Sequence, residues 1–175
     1  DLAAIFPFPL DTFQLEAIDA LNQGHSVVVS APTGSGKTLV GEYAIHRALA
    51  HGRKVFYTTP LKALSNQKLR DFREQFGAER VGLMTGDLTV NREASIVVMT
   101  TEIFRNMLYA EADQGDDPLE DVEAVVLDEC HYMNDSQRGT VWEESIIHCP
   151  PVVQLVALSA TVANAGQLTD WIERV

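Results

Sequence analysis

Val27-Val28-Val29-Ser30-Ala31-Pro32-Thr33-Gly34-Ser35-Gly36-Lys37-Thr38 is the stretch that decides the fold of this chain. Its first residues are the short β-branched apolar run of a buried strand. The next eight carry two glycines and close on Lys-Thr, which is the spacing of a phosphate-binding loop. Gly34 and Gly36 let the backbone curl until its N–H groups converge on phosphate oxygens. Thr33 and Ser35 belong to the same cradle. Lys37 reaches the outer phosphates, and the Thr38 hydroxyl can hold Mg²⁺. Leu39, Val40, Ala44, Ile45 and Leu49 then recur at helical spacing. A helix therefore starts at the end of the loop and turns the positive end of its dipole toward the bound anion. The ligand implied is a nucleoside triphosphate with magnesium. One position departs from the general pattern, which opens on Gly where this chain has Ala31.

Working outward, apolar β-branched runs alternate with helical patterns. Ser26–Ser30, Lys54–Thr58, Val81–Met84, Ile96–Met99, Ala124–Leu127 and Val152–Leu158 predict strands. Thr12–Asn22, Lys37–Ala50, Leu61–Phe76, Glu102–Ala110, Thr140–His148 and Ala165–Arg174 predict helices. Near-continuous Val-Val-Leu strands separated by helices mean an α/β fold, a doubly wound and mainly parallel sheet covered on both faces. Ligands of such sheets sit at the carboxyl ends of the strands. The acidic, turn-rich run Glu111–Asp121 predicts a surface loop rather than a domain boundary.

The chain of 175 residues fits one domain, taken as 1–175. A hydrophobic share of 46% and a charged share of 22% suit an ordinary globular domain. The apolar runs are too short to span a bilayer, and Asp1-Leu2-Ala3-Ala4 does not read as a signal peptide. Cys130 and Cys149 form no ligand or disulfide framework and fit small buried residues in a reducing, intracellular compartment. A net charge of −12 argues against gripping nucleic acid by charge alone. Backbone amides and helix N-termini remain available for phosphates.

Ala124-Val125-Val126-Leu127-Asp128-Glu129-Cys130-His131 carries the second constellation. A buried strand delivers two adjacent carboxylates at its C-terminal end. Neighbours on extended chain point opposite ways, so the two can divide the work. Asp128 would hold Mg²⁺, and Glu129 would position and deprotonate an attacking water.

With both constellations in view, the chain resembles a superfamily 2 DExH-box helicase, in which Ala at the first loop position is usual. Ser159-Ala160-Thr161 after a buried strand is similar to the family's third motif. Phe8-Pro9-Leu10-Asp11-Thr12-Phe13-Gln14 resembles its adenine-reading segment, with Gln14 on the adenine edge and Phe8 stacked on the ring. Phe6–Asp11, His131–Asp135, Arg138–Glu144 and Ser159–Asn164 are similar to the superkiller-like, exosome-associated RNA helicases. The resemblance runs from Phe6 to Arg174 and covers the first of that family's two RecA-like lobes.

The resemblance implies nucleic-acid contacts at three strand ends. Thr59-Pro60-Leu61-Lys62 opens a helix, with Thr59 as the expected cap, Pro60 in the first turn and Lys62 nearby. Thr85-Gly86-Asp87 ends the next strand, and Thr100-Thr101-Glu102 repeats strand end, cap and helix. These segments would touch the sugar-phosphate backbone, which makes binding largely independent of sequence. Lys62, Lys68, Arg70 and Arg73 share one predicted helix, either lining that path or forming a solvated face. His131, Ser159 and Thr161 would couple nucleotide state to the nucleic-acid face. Trp142 and Trp171 read as packing residues in helices.

The function implied is the ATP-binding lobe of an ATP-dependent RNA helicase, with ATP and Mg²⁺ as cofactors. RNA, a second RecA-like lobe and an RNA-processing or degradation complex are the implied partners. The close at Trp171–Val175 suggests part of a longer polypeptide. Without the second lobe and its arginine finger, worth about 10³ to 10⁵ in rate, the lobe alone would turn over almost no ATP. A DNA helicase or translocase, and a non-catalytic scaffold that uses nucleotide to dock partners, are the alternatives.

Overall fold

A computed structural model describes residues 5–6, 9–31, 36, 38–114, 119–129, 153–160 and 171–174. Among these, helix α1 (Thr12–Asn22) leads to strand β1 (Val27–Ala31) and helix α2 (Thr38–Ala50). Strand β2 (Lys54–Thr59), helix α3 (Lys62–Phe76) and a 3₁₀ turn (Ala78–Arg80) follow. Next come β3 (Val81–Met84), β4 (Thr89–Val90), β5 (Ile96–Thr100) and helix α4 (Thr101–Gln114). Strands β6 (Val122–Leu127), β7 (Gln154–Ala160) and β8 (Trp171–Arg174) complete the described elements.

The eight described strands form one sheet in the order β4-β3-β5-β2-β6-β7-β1-β8. The six central strands run parallel, while β4 and β8 are antiparallel edges. Alternation along each strand splits the apolar residues into two cores. Val55 and Tyr57 of β2, with Ala124 and Val126 of β6, pack under Phe13, Val40, Ile45, Leu69 and Phe72 from α1, α2 and α3. Phe56, Val125 and Leu127 point the other way, toward Phe104 and Leu108 of α4. This is the doubly wound architecture that the alternating runs predict. At the opposite end from the strand tips, Gln154 Nε2 donates to the carbonyls of Leu21 and His25, tying the start of β7 to α1 and the approach to β1.

Three boundaries differ from the sequence reading. Residues 171–174 are a strand, not the end of a helix, and Trp171 pairs with Ser30 across an antiparallel ladder. The open edge of β1 needs a partner, and that tertiary demand overrides a weak local helical pattern. Helix α4 continues to Gln114, into a stretch read as loop. The two-residue β4 was not anticipated. The predicted helix Thr140–His148, Trp142 and both cysteines lie outside the described residues. No helix among the described residues is long and apolar enough to cross a membrane.

Candidate active site

Strand register gathers the sequence motifs at one edge of the sheet. Ser30 pairs with Ser159, and Leu127 pairs with Ala157. The end of β7 therefore lies between the start of the phosphate loop and Asp128-Glu129. On the other half of the same edge, β3, β5 and β2 end side by side at Met84, Thr100 and Thr59, with Thr85 and Thr101 just beyond the first two.

Asp128 continues the inward row Ala124–Val126, so its carboxylate points to the α2–α3 side. It is only 3% exposed. Tyr57 donates its hydroxyl to Asp128 Oδ2 at 2.5 Å, and the Glu129 N–H donates to Oδ1 at 2.8 Å. Lys68 Nζ stands 3.9 Å from Oδ2 and over the rings of Tyr57 and Phe72. Burial and the neighbouring Asp128 push the Tyr57 hydroxyl well above its usual range, so it stays protonated and acts as the donor. The strand ends abruptly here. Glu129 has φ 54°, a left-handed conformation that costs a non-glycine residue roughly 1–3 kcal/mol. The chain thus leaves β6 at Asp128-Glu129 through a tight turn, rather than continuing as extended strand.

Gln14 is nearly buried and bridges two segments. Its Oε1 accepts the Asp11 N–H at 2.8 Å, and its Nε2 donates to the Gly36 carbonyl at 3.0 Å. The upstream segment and the phosphate loop are therefore in direct contact. Gly36 has φ 88° and is exposed at the entrance to α2, where its carbonyl also accepts the Leu39 N–H. Thr38 is the half-buried first residue of α2. Phe8, Thr33, Gly34, Ser35, Lys37, His131 and Thr161 lie outside the described residues. Ser159 is half-buried at the end of β7.

Helix α3 begins at Lys62, with Leu61 at its N-cap and no side chain closing the first turn. Thr59 is not the cap. Its hydroxyl bonds the Leu61 carbonyl and Ser65 instead, and Pro60 precedes the helix. Lys62 forms a short ion pair with Asp87, which joins this helix start to the end of β3 and lowers the Asp87 pKa. Thr85 turns inward and exchanges hydrogen bonds with Leu88. Gly86 stands in the open, with nothing within 4 Å of an added Cβ. Thr100 caps α4 through the Ile103 N–H, Thr101 is buried and Glu102 is exposed. Lys62, Gly86 and Glu102 are thus exposed at this edge, while Thr85 and Thr101 are buried.

Residues 11–168 match the DEAD/DEAH box helicase family. The chain belongs to this family. It is 56% identical over its whole length to the chloroplastic DExH-box ATP-dependent RNA helicase DExH15 of Arabidopsis thaliana, and covers 15% of that protein. It is 52% identical over 98% of its length to the antiviral helicase SKI2 of Saccharomyces cerevisiae, covering 13% of it. These relatives bear out the superkiller-like resemblance. In structure, the DUF1998 helicase MrfA bound to DNA and AMPPNP superposes with a TM-score of 0.69 at 22% identity. That superposition covers 91% of this chain and 25% of MrfA, a likeness of fold.

Sequence reasoning missed Tyr57 and Lys68. Tyr57 sits in a buried apolar run and reads as core. Lys68 falls among basic residues that read as lining the nucleic-acid path or as a solvated helix face, not as a partner of Asp128. Only the pairing of β2 with β6, and the packing of α3 against β2, brings both to Asp128.

Proposed function

We propose that this chain is the first RecA-like ATP-binding lobe of an ATP-dependent RNA helicase, which couples ATP hydrolysis to movement along or separation of RNA strands. The observation that carries the reading is the position of the buried Asp128 and its neighbour Glu129. They end β6 on the same edge as the loop after β1, with the tip of β7 between them. The name of DExH15, an RNA helicase 56% identical to this chain, favours RNA over DNA.

In this reading ATP lies along the Ala31–Thr38 loop, with Lys37 on the outer phosphates and Thr33, Gly34, Ser35 and Gly36 around them. Gln14 keeps a second amide hydrogen and a second lone pair for the adenine edge, and Phe8 stacks on the base. The donor set present, the Asp128 carboxylate and the Thr38 hydroxyl, is hard oxygen and suits Mg²⁺, which takes few protein ligands beside phosphate. When bound, that ion neutralises charge on the phosphate oxygens. Glu129 orients the attacking water and accepts its proton. A nucleic-acid strand crosses the other half of the edge, over Pro60, Lys62, Gly86 and Glu102, shaped by Thr85 and Thr101. His131, Ser159 and Thr161 join the two halves. A second lobe completes catalysis, and an intracellular RNA-processing complex is the setting.

The test is Glu129→Gln in the full-length protein, assayed with RNA and with DNA of the same sequence. The expected result is a loss of RNA-stimulated ATP hydrolysis by about 10² to 10⁴ with ATP affinity retained. Unchanged hydrolysis refutes the role of Glu129, and stimulation by DNA alone replaces RNA as the substrate.

A further inference from the structure

The seam between the two halves of the sheet edge is occupied by side chains to which neither motif assigns work. Strand β2 ends in the nucleic-acid half and β6 in the nucleotide half, and the two are neighbours, with Tyr57 paired to Val126. Tyr57 is fully buried, with its ring edge-on to Phe72 at 4.9 Å between centroids. That contact leaves the hydroxyl little freedom, and it lands on Asp128 Oδ2 at 2.5 Å. From α3, Lys68 reaches the same oxygen at 3.9 Å, its ammonium resting 5.7 Å from the Tyr57 ring centroid and 5.9 Å from that of Phe72.

We propose that Tyr57 and Lys68 are positioning residues for Asp128, fixing its carboxylate from β2 and α3 in the orientation that receives the divalent metal. The inference rests on the reading of Asp128 as the metal-holding group. A carboxylate offers about four lone-pair sites. The Glu129 N–H takes one on Oδ1 and the Tyr57 hydroxyl takes one on Oδ2, each from a fixed direction. The remaining sites are therefore aimed, not free to rotate. Lys68 offsets the charge that burial at 3% exposure would otherwise leave uncompensated. An Asp held only for stability would need these donors equally, so metal affinity, not folding, separates the two roles.

The experiment uses the full-length protein loaded with a non-hydrolysable ATP analogue, with Mn²⁺ as the spin probe in an electron paramagnetic resonance titration. Four variants are compared: Tyr57→Phe, Lys68→Met, Lys68→Arg and Asp128→Asn. Tyr57→Phe keeps the buried ring and removes one hydrogen bond to a charged group. It is expected to weaken Mn²⁺ binding about tenfold or more, with nucleotide affinity in EDTA unchanged. Lys68→Met is expected to weaken Mn²⁺ binding in the same direction, and Lys68→Arg to restore most of it. If Asp128→Asn weakens Mn²⁺ binding while Tyr57→Phe and Lys68→Met bind it like the parent, the positioning role is overturned and the metal reading stands. If Asp128→Asn itself leaves Mn²⁺ binding intact, the metal reading fails and the positioning role falls with it.

Discussion

Adding one methyl group at Gly36 tests how the phosphate loop is held. A Cβ there would lie 2.6 Å from Gln14 Nε2, so the amide must withdraw from the Gly36 carbonyl that it now reaches at 3.0 Å. The backbone, at φ 88°, adds roughly 1–2 kcal/mol for a residue with a side chain. The lost hydrogen bond adds about 1 kcal/mol. Gln14→Ala alone removes that same bond and the one from the Asp11 N–H, about 2 kcal/mol in total. The Gln14–Gly36 bond is counted in both single variants but can be lost only once. The double variant should therefore fall short of additivity by about 1 kcal/mol. Urea denaturation of the parent, both single variants and the double variant measures the shortfall, and nucleotide affinity on the same four proteins reports whether the loop follows. Additivity within about 0.5 kcal/mol would refute the contact as an energetic link between the upstream segment and the loop.

Two further outcomes follow from the same geometry. Gly82→Ala would push a Cβ to 2.1 Å from the Asn91 carbonyl oxygen, so β4 must leave β3. Hydrogen exchange should quicken at residues 81–91, nucleotide affinity should hold, and unchanged protection there would count against the assigned register. His46 packs beside Phe6 and Phe76, and burial lowers its pKa from 6.5. The folded state therefore resists protonation that the unfolded state accepts. Its contribution is present in full above about pH 6.5 and is lost as pH falls toward the folded value. His46→Phe should flatten that part of the stability–pH profile, and an identical slope would show that His46 does not set it.

The architecture was legible because it is written twice, in the Val-Val-Leu strands and in the polar residues at their ends. The phosphate loop and Asp128-Glu129 could be paired from sequence because each motif is contiguous and follows its own strand. Tyr57 and Lys68 could not, because their role depends on β2 lying against β6, which brings Tyr57 to a residue 71 positions away in sequence. Thr59 illustrates a subtler miss. A threonine before a proline reads as a cap, yet its hydroxyl is taken by Leu61 and Ser65. The strand at 171–174 was misread because its conformation is set by the bare edge of β1, not by its own four residues.

The position of β1 has a consequence for how the molecule comes into being. Its neighbours in the sheet are β7 and β8, so Val29 is flanked by Leu158 and Ile172. Such distant pairings are slow to close, because chain entropy is spent before the contacts form. During synthesis the phosphate loop emerges before β7 and β8, so the strand that carries it has no neighbour in the sheet until those strands appear. Nucleotide should therefore give no protection from proteolysis to nascent chains that stop short of β7.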